Sequence, residues 1–307
     1  MNTLSVVIPV YGCKKCLSEL TGRLQQTLSG ITPDYEIFFV DDCSPDNAWE
    51  TIEQLSESDS KIKSIRFSRN FGQHYAITSG LEKASGEWIV VMDCDLQDRP
   101  EEILNLYRKA LEGYDIVLGQ RIYRQDSWLK RSFSKWFYSL LGYLTNTRQD
   151  YTIANFGIYH RKVIQAVLSM KDYIRYLPAM IRWVGFRHTA IEVKHAERTN
   201  GKTGYSIRKL IKLGTNVVLS FSEKPLHLVI QFGFLITSFS FLFGLVYLFR
   251  YFTGSISVLG FTSLIISIWF LSGIIILILG IVGLYIGKTF ERAKDRPMFI
   301  IDKTKNL

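Results

Sequence analysis

The stretch Trp88-Ile89-Val90-Val91-Met92-Asp93-Cys94-Asp95 decides how this chain is interpreted. Its apolar half is rich in β-branched residues and follows Gly86, a pattern typical of a buried strand. Asp93 and Asp95 follow that strand one residue apart, and Gln97 adds an amide two positions later. Carboxylate and amide oxygens are the ligands that Mg²⁺ and Mn²⁺ prefer. The stretch therefore predicts a divalent-metal site that holds a diphosphate, although the same tripeptide also occurs in solvated turns.

Apolar strand-like runs alternate with amphipathic helix-like stretches over the first 120 residues. This alternation predicts an α/β fold with a mostly parallel sheet and helices on both faces. We interpret Asp46 as the start of the second helix and Pro100 as the start of the fourth. The predicted strands cover 4–10, 36–42, 62–67, 88–93 and 115–120, and the predicted helices lie near 15–29, 46–58, 73–85 and 100–112.

Polar residues follow several of the other predicted strands as well. The first strand ends at Pro9 and Tyr11, the second at Asp42, and the fifth at Gln120 and Arg121. Ligands bind at the carboxyl ends of strands in parallel sheets, so these residues are candidates for one common site. The sequence has neither a Gly-x-Gly-x-x-Gly motif after the first strand nor a P-loop motif. This argues against a dinucleotide redox cofactor and against a P-loop nucleotide site.

The last third of the chain contains two long segments without charged residues, 228–249 and 251–287. Each is long enough to hold a helix that crosses a bilayer, whereas the alternative is a buried helical hairpin in a soluble core. The predicted organisation begins with a cytoplasmic domain over 1–205 and an amphipathic juxtamembrane segment over 206–225. A transmembrane helix over 226–250, an external turn over 251–260, a second transmembrane helix over 261–288 and a cytoplasmic tail over 289–307 follow.

Basic residues flank the two predicted crossings on one side. Lys224 precedes the first crossing, Lys288 and Arg292 follow the second, and the connecting turn carries only Arg250. The positive-inside rule places both termini in the cytoplasm, and the N-terminus opens on a strand pattern without a signal peptide. We therefore expect an inner (plasma) membrane protein with two crossings.

The formal net charge of the chain is +9 at neutral pH. The basic residues do not form a nucleic-acid recognition module, so we expect no nucleic-acid partner. Basic and apolar residues instead alternate over 206–222, which predicts a helix lying on anionic lipid headgroups. An ordinary surface helix is the alternative for this segment.

The chain has four cysteines, and two of them, Cys13 and Cys16, form a Cys-x-x-Cys motif. Half of a zinc site or a redox pair are possible interpretations of that motif. There is no second Cys-x-x-Cys, and Cys43 and Cys94 stand alone in the sequence. For a cytoplasmic domain we expect reduced thiols that bind no metal.

The motifs, taken in order, resemble family 2 glycosyltransferases of the GT-A (Rossmann-like) fold. With an Arg198 loop and two C-terminal crossings, the chain is similar to the polyprenyl-phosphate branch, which includes dolichol-phosphate mannose synthases and bactoprenol-phosphate glycosyltransferases. The resemblance covers nearly the whole chain and is tightest over 4–121. The motifs that carry it are Ser5-Val6-Val7-Ile8-Pro9-Val10-Tyr11, Val40-Asp41-Asp42-Cys43-Ser44-Pro45-Asp46, Arg69-Asn70-Phe71-Gly72, Ala84-Ser85-Gly86-Glu87, Val91-Met92-Asp93-Cys94-Asp95-Leu96-Gln97 and Gly119-Gln120-Arg121.

The resemblance implies a role for each matching residue. The nucleotide of a sugar nucleotide would be held by Pro9, Tyr11, Asp42, Asp93 and Arg198. The divalent ion, Mg²⁺ or Mn²⁺, would be held by Asp93, Asp95 and Gln97. The acceptor phosphate would be held by Arg121, Lys130, Arg131 and Ser134, of which the first three have headgroup contact or plain solvation as the alternative. The catalytic set would be Asp93, Asp95, Arg121, Arg131, Arg198 and, as a reserve, Asp150.

The resemblance also implies the reaction, a metal-dependent and inverting transfer of a hexosyltransferase type. The donor would be a nucleotide sugar such as a UDP-sugar, and the acceptor a polyprenyl phosphate such as undecaprenyl phosphate. Relatives with two crossings can assemble into tetramers, so a homo-oligomer such as a tetramer is one possible state, and the sequence does not decide it. Two positions depart from the family pattern: Asn155 replaces an acidic residue before Phe156, and Gly201-Lys202-Thr203-Gly204 replaces Gly-x-Ser-Lys. The catalytic base is therefore unassigned.

The charge of the acceptor decides whether a base is needed. A hydroxyl acceptor must lose a proton to a positioned base. A phosphate monoester, with a second pKa of about 6, is largely ionised at neutral pH and needs cations instead. Asn155 agrees better with the phosphate acceptor. The alternatives are a membrane-tethered transferase with a lipid or saccharide hydroxyl acceptor, and a non-catalytic lipid-binding scaffold on the same fold.

Overall fold

The computed structural model describes residues 3–120, 153–170, 172, 175–194, 224–253 and 260–307. The chain divides into two compact units. The first contains the described residues up to 194 together with 297–307, and the second contains the described residues between 224 and 296.

An eight-stranded mixed sheet forms the centre of the first unit. Its strands are β1 (Leu4–Val10), β2 (Tyr35–Asp41), β3 (Ile62–Phe67), β4 (Trp88–Val91), β5 (Ile116–Gln120), β6 (Ile153–His160), β7 (His188–Glu192) and β8 (Ile301–Lys305). Their order in the sheet is β7-β5-β6-β4-β1-β2-β3-β8. Four of the described pairings are parallel, and the three that involve β6 and β8 are antiparallel. The predicted parallel sheet is thus confirmed at its centre, with antiparallel strands added.

The helices of the first unit cover both faces of this sheet, as predicted. They are α1 (Leu17–Ser29), α2 (Ala48–Ser58), α3 (Gln73–Lys83), α4 (Ile103–Leu111), α5 (Arg161–Ser169) and α6 (Leu177–Trp183). On one face, α1, α2 and α4 pack against Val6 and Ile8 of β1 in the main apolar core. On the other face, α3 lies so close to β1 that a Cβ on Gly80 would stand 2.4 Å from a methyl carbon of Val7. Successive β1 side chains therefore point to opposite helix layers.

The five predicted strands are all present, and their bounds differ from the predicted ones by at most two residues. The start predicted for the second helix is wrong. Helix α2 begins at Ala48, and Asn47 before it has a left-handed φ of 57°. Asn47 is the N-cap residue, and the Asp46 carboxylate accepts hydrogen bonds from the Lys14 backbone N–H and the Ser44 hydroxyl. Asp46 therefore joins two loops.

The second unit contains two long helices, α7 (Lys224–Phe252) and α8 (Phe261–Ala293). Within the described residues, the segment Phe270–Gly287 of α8 is long and apolar enough to cross a membrane, with a mean hydropathy of 2.5. Helix α7 contains a shorter apolar stretch, Leu226–Ile236.

After α8 the chain returns to the first unit. Strand β8 pairs antiparallel with β3 at the edge of the sheet. Phe299, just before β8, stacks on Phe67 with ring centroids 5.0 Å apart. The Asn306 side chain donates to the backbone carbonyls of Ser56 and Ile62 at 2.6 and 2.9 Å. These contacts attach the C-terminal residues to the sheet of the first unit.

Glu36 is a buried acidic residue near the amino end of β2, away from the carboxyl ends of the parallel strands. Its carboxylate accepts hydrogen bonds from the Ser5 hydroxyl at 2.6 Å, the Ser85 backbone N–H at 2.6 Å and the Lys63 ammonium at 2.7 Å. Burial alone would raise the pKa of Glu36, but these donors outweigh burial and hold the pKa below its ordinary value. The ionised carboxylate therefore stabilises the fold at neutral pH.

We predict that Glu36→Ala lowers the free energy of unfolding of the first unit by about 3 kcal/mol at pH 7, because it leaves buried donors without their acceptor. Glu57→Ala is the matched control, since Glu57 pairs with Lys305 at the surface and its loss should cost much less. Because the folded pKa of Glu36 is depressed, its contribution is present above about pH 4.3 and is lost as the pH falls through the folded pKa. Denaturant unfolding at pH 7 and pH 4 measures both effects, and equal losses for the two variants would contradict the prediction.

Candidate functional site

The carboxyl ends of three neighbouring parallel strands bring the predicted site residues together. Strand β1 lies between β4 and β2, with Val7 opposite Val91 and Val10 opposite Asp41. Tyr11 and Asp42 directly follow the ends of β1 and β2, and Asp93 follows Met92 after the end of β4. They therefore lie at one edge of the sheet, as the sequence predicted.

The surroundings of these residues differ strongly. The Tyr11 ring is 55% exposed, as is suitable for a surface on which a flat ligand can stack, whereas Asp42 is only 2% exposed. Pro9 is buried within β1, opposite Val40. The site thus combines an exposed aromatic side chain with a buried carboxylate.

The Asp42 carboxylate is held by backbone N–H groups of the segment that precedes α3. Phe71 donates to Asp42 Oδ1 at 2.7 Å, and Gly72 donates to Asp42 Oδ2 at 2.9 Å. Gly72 has a φ of +115°, which L-residues with a side chain rarely adopt. Burial raises the pKa of Asp42 to about 6, although the two N–H donors oppose that rise. Asp42 is therefore mostly ionised at neutral pH and protonated in mild acid.

Asp93 and Asp95 occupy the turn after β4. The Gln73 side-chain amide donates to Asp93 Oδ1 at 2.7 Å. The Asp95 carboxylate accepts from the backbone N–H of Gln97 at 3.1 Å, and Leu96 between them has a left-handed φ of 62°. All three predicted metal-binding residues, Asp93, Asp95 and Gln97, are partly exposed to solvent. The turn thus presents two carboxylates and one amide at the sheet edge.

A second hydrogen-bonded group joins the loops after β1 and β2. The Ser44 hydroxyl accepts from the Gly12 backbone N–H at 2.7 Å and donates to Asp46 Oδ1 at 2.5 Å. The other oxygen of Asp46 accepts from the Lys14 backbone N–H at 2.8 Å. The loop that carries Tyr11 is therefore fixed to the loop that carries Asp42.

The prediction for the cysteines is wrong for two of the four. A disulfide bond joins Cys13 and Cys94, with their Cα atoms 6.4 Å apart, and Cys16 and Cys43 are free thiols. Cys13 therefore pairs with the cysteine between the two aspartates and not with its Cys-x-x-Cys neighbour. No local pattern in the sequence indicates this pair, because 81 positions separate the two residues.

The donor set at the β4 turn fits Mg²⁺ or Mn²⁺ by its chemistry. In the described ranges, no group of three or more His, Cys, Asp or Glu side chains is close enough to hold a metal ion. Two carboxylates and an amide are oxygen donors, and Mg²⁺ commonly binds through one or two carboxylates while phosphates and water complete its shell. Asp93, Asp95 and Gln97 therefore fit an ion that arrives with a diphosphate.

Several predicted residues lie outside the described part of the chain, namely Arg121, Lys130, Arg131, Ser134, Asp150 and Arg198. Asn155, the residue that departs from the family pattern, lies within β6 and is partly exposed. Strand β6 runs antiparallel to β4, with Gly157 opposite Val91. This register places Asn155 at the same end of the sheet as Asp93.

Sequence reasoning missed two residues of this site, Gln73 and Ser44. Both make hydrogen bonds between loops. Ser44 lies in the motif Val40-Asp41-Asp42-Cys43-Ser44-Pro45-Asp46, and its place two positions after Asp42 was an available signal. Gln73 follows Arg69-Asn70-Phe71-Gly72, but nothing local to that motif indicates a contact with Asp93, 20 residues further on.

Comparison with known proteins identifies this arrangement. The family model described as "Glycosyl transferase family 2" matches residues 5–169. An uncharacterised glycosyltransferase of Bacillus subtilis (strain 168), YkcC, is 38% identical over 99% of this chain and 94% of its own length. The undecaprenyl-phosphate 4-deoxy-4-formamido-L-arabinose transferase of Proteus mirabilis (strain HI4320) is 33% identical over 99% of this chain and 94% of its own length.

A solved structure has a similar fold. Glucosyl-3-phosphoglycerate synthase from Mycobacterium tuberculosis, crystallised with Mn²⁺, UDP and phosphoglyceric acid, aligns with a TM-score of 0.51 at 15% identity, covering 71% of this chain and 77% of that one. This likeness supports a GT-A-like α/β fold with a mixed sheet.

We predict that a peptide map made without reductant, on protein whose free thiols are alkylated, contains a linked Cys13–Cys94 peptide pair and alkylated Cys16 and Cys43. Cys13→Ser should free Cys94 for alkylation, whereas Cys43→Ser, the matched control, should leave the linked pair intact. Mass spectrometry of the digests measures both. A Cys13–Cys16 pair, or four alkylated cysteines in protein purified under air, would contradict the prediction.

Proposed function

Because the chain belongs to glycosyl transferase family 2 and is a glycosyltransferase of the polyprenyl-phosphate branch, we propose that it transfers a sugar from a UDP-sugar to undecaprenyl phosphate, with a divalent ion and with inversion at the anomeric carbon. The observation that carries the proposal is the placement of Asp42, Asp93 and Asp95 at the ends of neighbouring strands. A nucleotide base and a diphosphate need such a pair of sites side by side.

The donor nucleotide would bind between Tyr11 and Asp42. The exposed ring of Tyr11 offers a face for the base, and the Asp42 carboxylate is an acceptor for base N–H groups. Each carboxylate oxygen can accept more than one hydrogen bond, so the bonds from Phe71 and Gly72 leave capacity for a ligand. Pro9 would support the ring from below, and Arg198 would contact the diphosphate.

The diphosphate would lie at the β4 turn. When bound there, Mg²⁺ or Mn²⁺ neutralises the negative charge that develops on the leaving nucleoside diphosphate. Asp93, Asp95 and Gln97 provide the oxygen ligands, and Gln73 orients the first of them. Since no proton has to reach the leaving group, these residues serve by position and charge.

The proposed acceptor agrees with the residue at position 155. A relative that aligns over nearly the whole chain bears undecaprenyl phosphate in its name. A lipid phosphate is already anionic at neutral pH, so its attack on the anomeric carbon needs no strong base. It needs cations that reduce repulsion from the donor diphosphate, for which Arg121, Lys130 and Arg131, assisted by Ser134, are the proposed groups. Asn155, which cannot act as a base, is compatible with this chemistry. Asp150 remains the reserve candidate for a base or an orienting group.

The path of the chain supports a membrane anchor with two crossings. The described residues up to 194 and residues 297–307 belong to the same compact unit, in which β8 pairs with β3. A segment that leaves one side of a bilayer and returns to it must cross an even number of times. With α8 as one crossing, α7 is the proposed second. A lipid acceptor held in the bilayer requires an enzyme anchored at that surface, here the cytoplasmic face of the plasma membrane.

We predict that the purified full chain, supplied with a panel of UDP-sugars, Mn²⁺ and undecaprenyl phosphate, forms one glycosyl phospholipid. Asp95→Ala should lower the rate at which this product forms by about a hundredfold or more, which is the loss expected when one group that stabilises a transition state is removed. Asp34→Ala is the matched control, because Asp34 is exposed at the opposite end of the sheet. Mass spectrometry of the lipid product gives the rate and the added mass. Wild-type protein that transfers no sugar with any donor, or Asp95→Ala at the wild-type rate, would refute the proposal.

A second prediction separates a phosphate acceptor from a hydroxyl acceptor. Arg131→Ala should raise the KM for undecaprenyl phosphate about tenfold or more, because a charge-assisted contact is lost. The KM of Arg131→Lys should lie between those of the wild type and the alanine variant, since lysine keeps the positive charge but lacks the planar guanidinium that can donate two parallel hydrogen bonds. Asn155→Ala should change the rate by less than about threefold. Product formation as a function of acceptor concentration measures all three, and a large loss for Asn155→Ala with none for Arg131→Ala would favour the hydroxyl acceptor.

A further inference from the structure

We propose that Gln73 is a positioning residue for the metal-binding carboxylate of Asp93, and that residues 71–73 couple the nucleotide-base site to the metal site. This inference rests on the proposed function, because it concerns the same site. It adds a residue outside the predicted ligand set and a physical connection between two halves of the site that are distant in sequence.

The first observation is the contact itself. The Gln73 Nε2 atom donates to Asp93 Oδ1 at 2.7 Å. An ionised carboxylate only accepts hydrogen bonds, so the amide nitrogen of Gln73 must face it. This bond restrains the rotation of the Asp93 carboxylate, whose oxygens each have more than one lone pair with which to bind a metal ion as well. A neutral amide does this without adding a positive charge that would repel the ion.

The second observation is that the two preceding residues hold the other functional carboxylate. Phe71 and Gly72 donate their backbone N–H groups to the two oxygens of Asp42. Three consecutive residues therefore contact Asp42 after β2 and Asp93 after β4. A displacement of Asp42, for example when a base binds, is transmitted to Gln73 over two peptide units.

The third observation is that the segment is rigidly mounted. Gln73 is the first residue of α3. Ala76 of this helix is buried against Val40 and Ile65, and Gly80 packs directly against Val7. A side chain carried by the first turn of a firmly packed helix keeps its position better than one on a loop. Gln73 therefore has the support that an orienting group requires.

The conformation at Gly72 makes the arrangement possible. Its φ of +115° lies in the region that favours glycine, and a Cβ added there would have Tyr75 Cδ2 at 3.8 Å as its nearest contact. Space is thus available, and the requirement for glycine is one of backbone conformation. The left-handed turn allows consecutive N–H groups to face Asp42 while the next side chain reaches Asp93.

The test measures Mn²⁺ binding by electron paramagnetic resonance, with and without UDP, on the full chain in detergent. Groups that orient a metal ligand typically change metal affinity 10- to 100-fold. We therefore expect Gln73→Leu to weaken Mn²⁺ binding at least tenfold, and Gln73→Asn, which is shorter by one methylene, to weaken it less. Gln54→Leu is the matched control, because it makes the same chemical change at an exposed position of α2 and should bind Mn²⁺ as the wild type does.

A coupling role makes a further demand that a merely structural role does not. In the wild type, UDP should increase Mn²⁺ affinity, and Gln73→Leu should reduce that increase while its thermal unfolding midpoint stays near that of Gln54→Leu. Mn²⁺ affinity in Gln73→Leu equal to the wild type would overturn the inference and leave the proposed function standing. Wild-type protein that binds no Mn²⁺ in the presence of UDP would overturn the proposed metal site and this inference together. If Gln73→Leu does not fold, wild-type affinity in Gln73→Asn overturns the inference and weakened affinity supports it.

Discussion

The site depends on buried or half-buried carboxylates that must be given hydrogen-bond donors where strands end. A carboxylate removed from water loses its hydration, and that loss is tolerable only if N–H or O–H groups replace it. At the carboxyl end of the sheet, the donors for Asp42 and Asp93 come from residues 71–73. The conformation of residues 71–73 is therefore one that brings hydrogen-bond donors to both carboxylates.

The same requirement connects the loops into one structure. Ser44 and Asp46 join the loop after β2 to the loop after β1, and the disulfide joins the loop after β1 to the turn after β4. Residues 71–73 connect the loop after β3 to both acids. Asp42 and Asp93 are consequently held by a segment distant from them in sequence, which limits the conformational freedom that a bound donor would have to remove.

The sequence predicted the parts of the structure that have a local cause. A strand buried on both faces is an uninterrupted apolar run, so the strands ending at Val10, Asp41 and Val91 could be located from composition alone. The Gln73–Asp93 bond and the Cys13–Cys94 pair have no local cause, because they arise only when distant strands become neighbours. The prediction of where α2 starts was wrong for a related reason. Asp46 is a residue type that often caps helices, but the backbone N–H of Lys14, on another loop, competes for its carboxylate.

Asp42 shows how the site sets function against stability. Its pKa is raised to about 6, which means that the folded protein favours the protonated form more than the unfolded chain does. Keeping Asp42 ionised at neutral pH therefore costs folding free energy, and that cost decreases as the pH falls below about 6 and is gone below about 3.8, the ordinary pKa of an aspartate. Glu36 has the opposite shift, because its lysine and two serines outweigh burial. Under the proposed function, a base with N–H donors would offset part of this cost when it binds to Asp42.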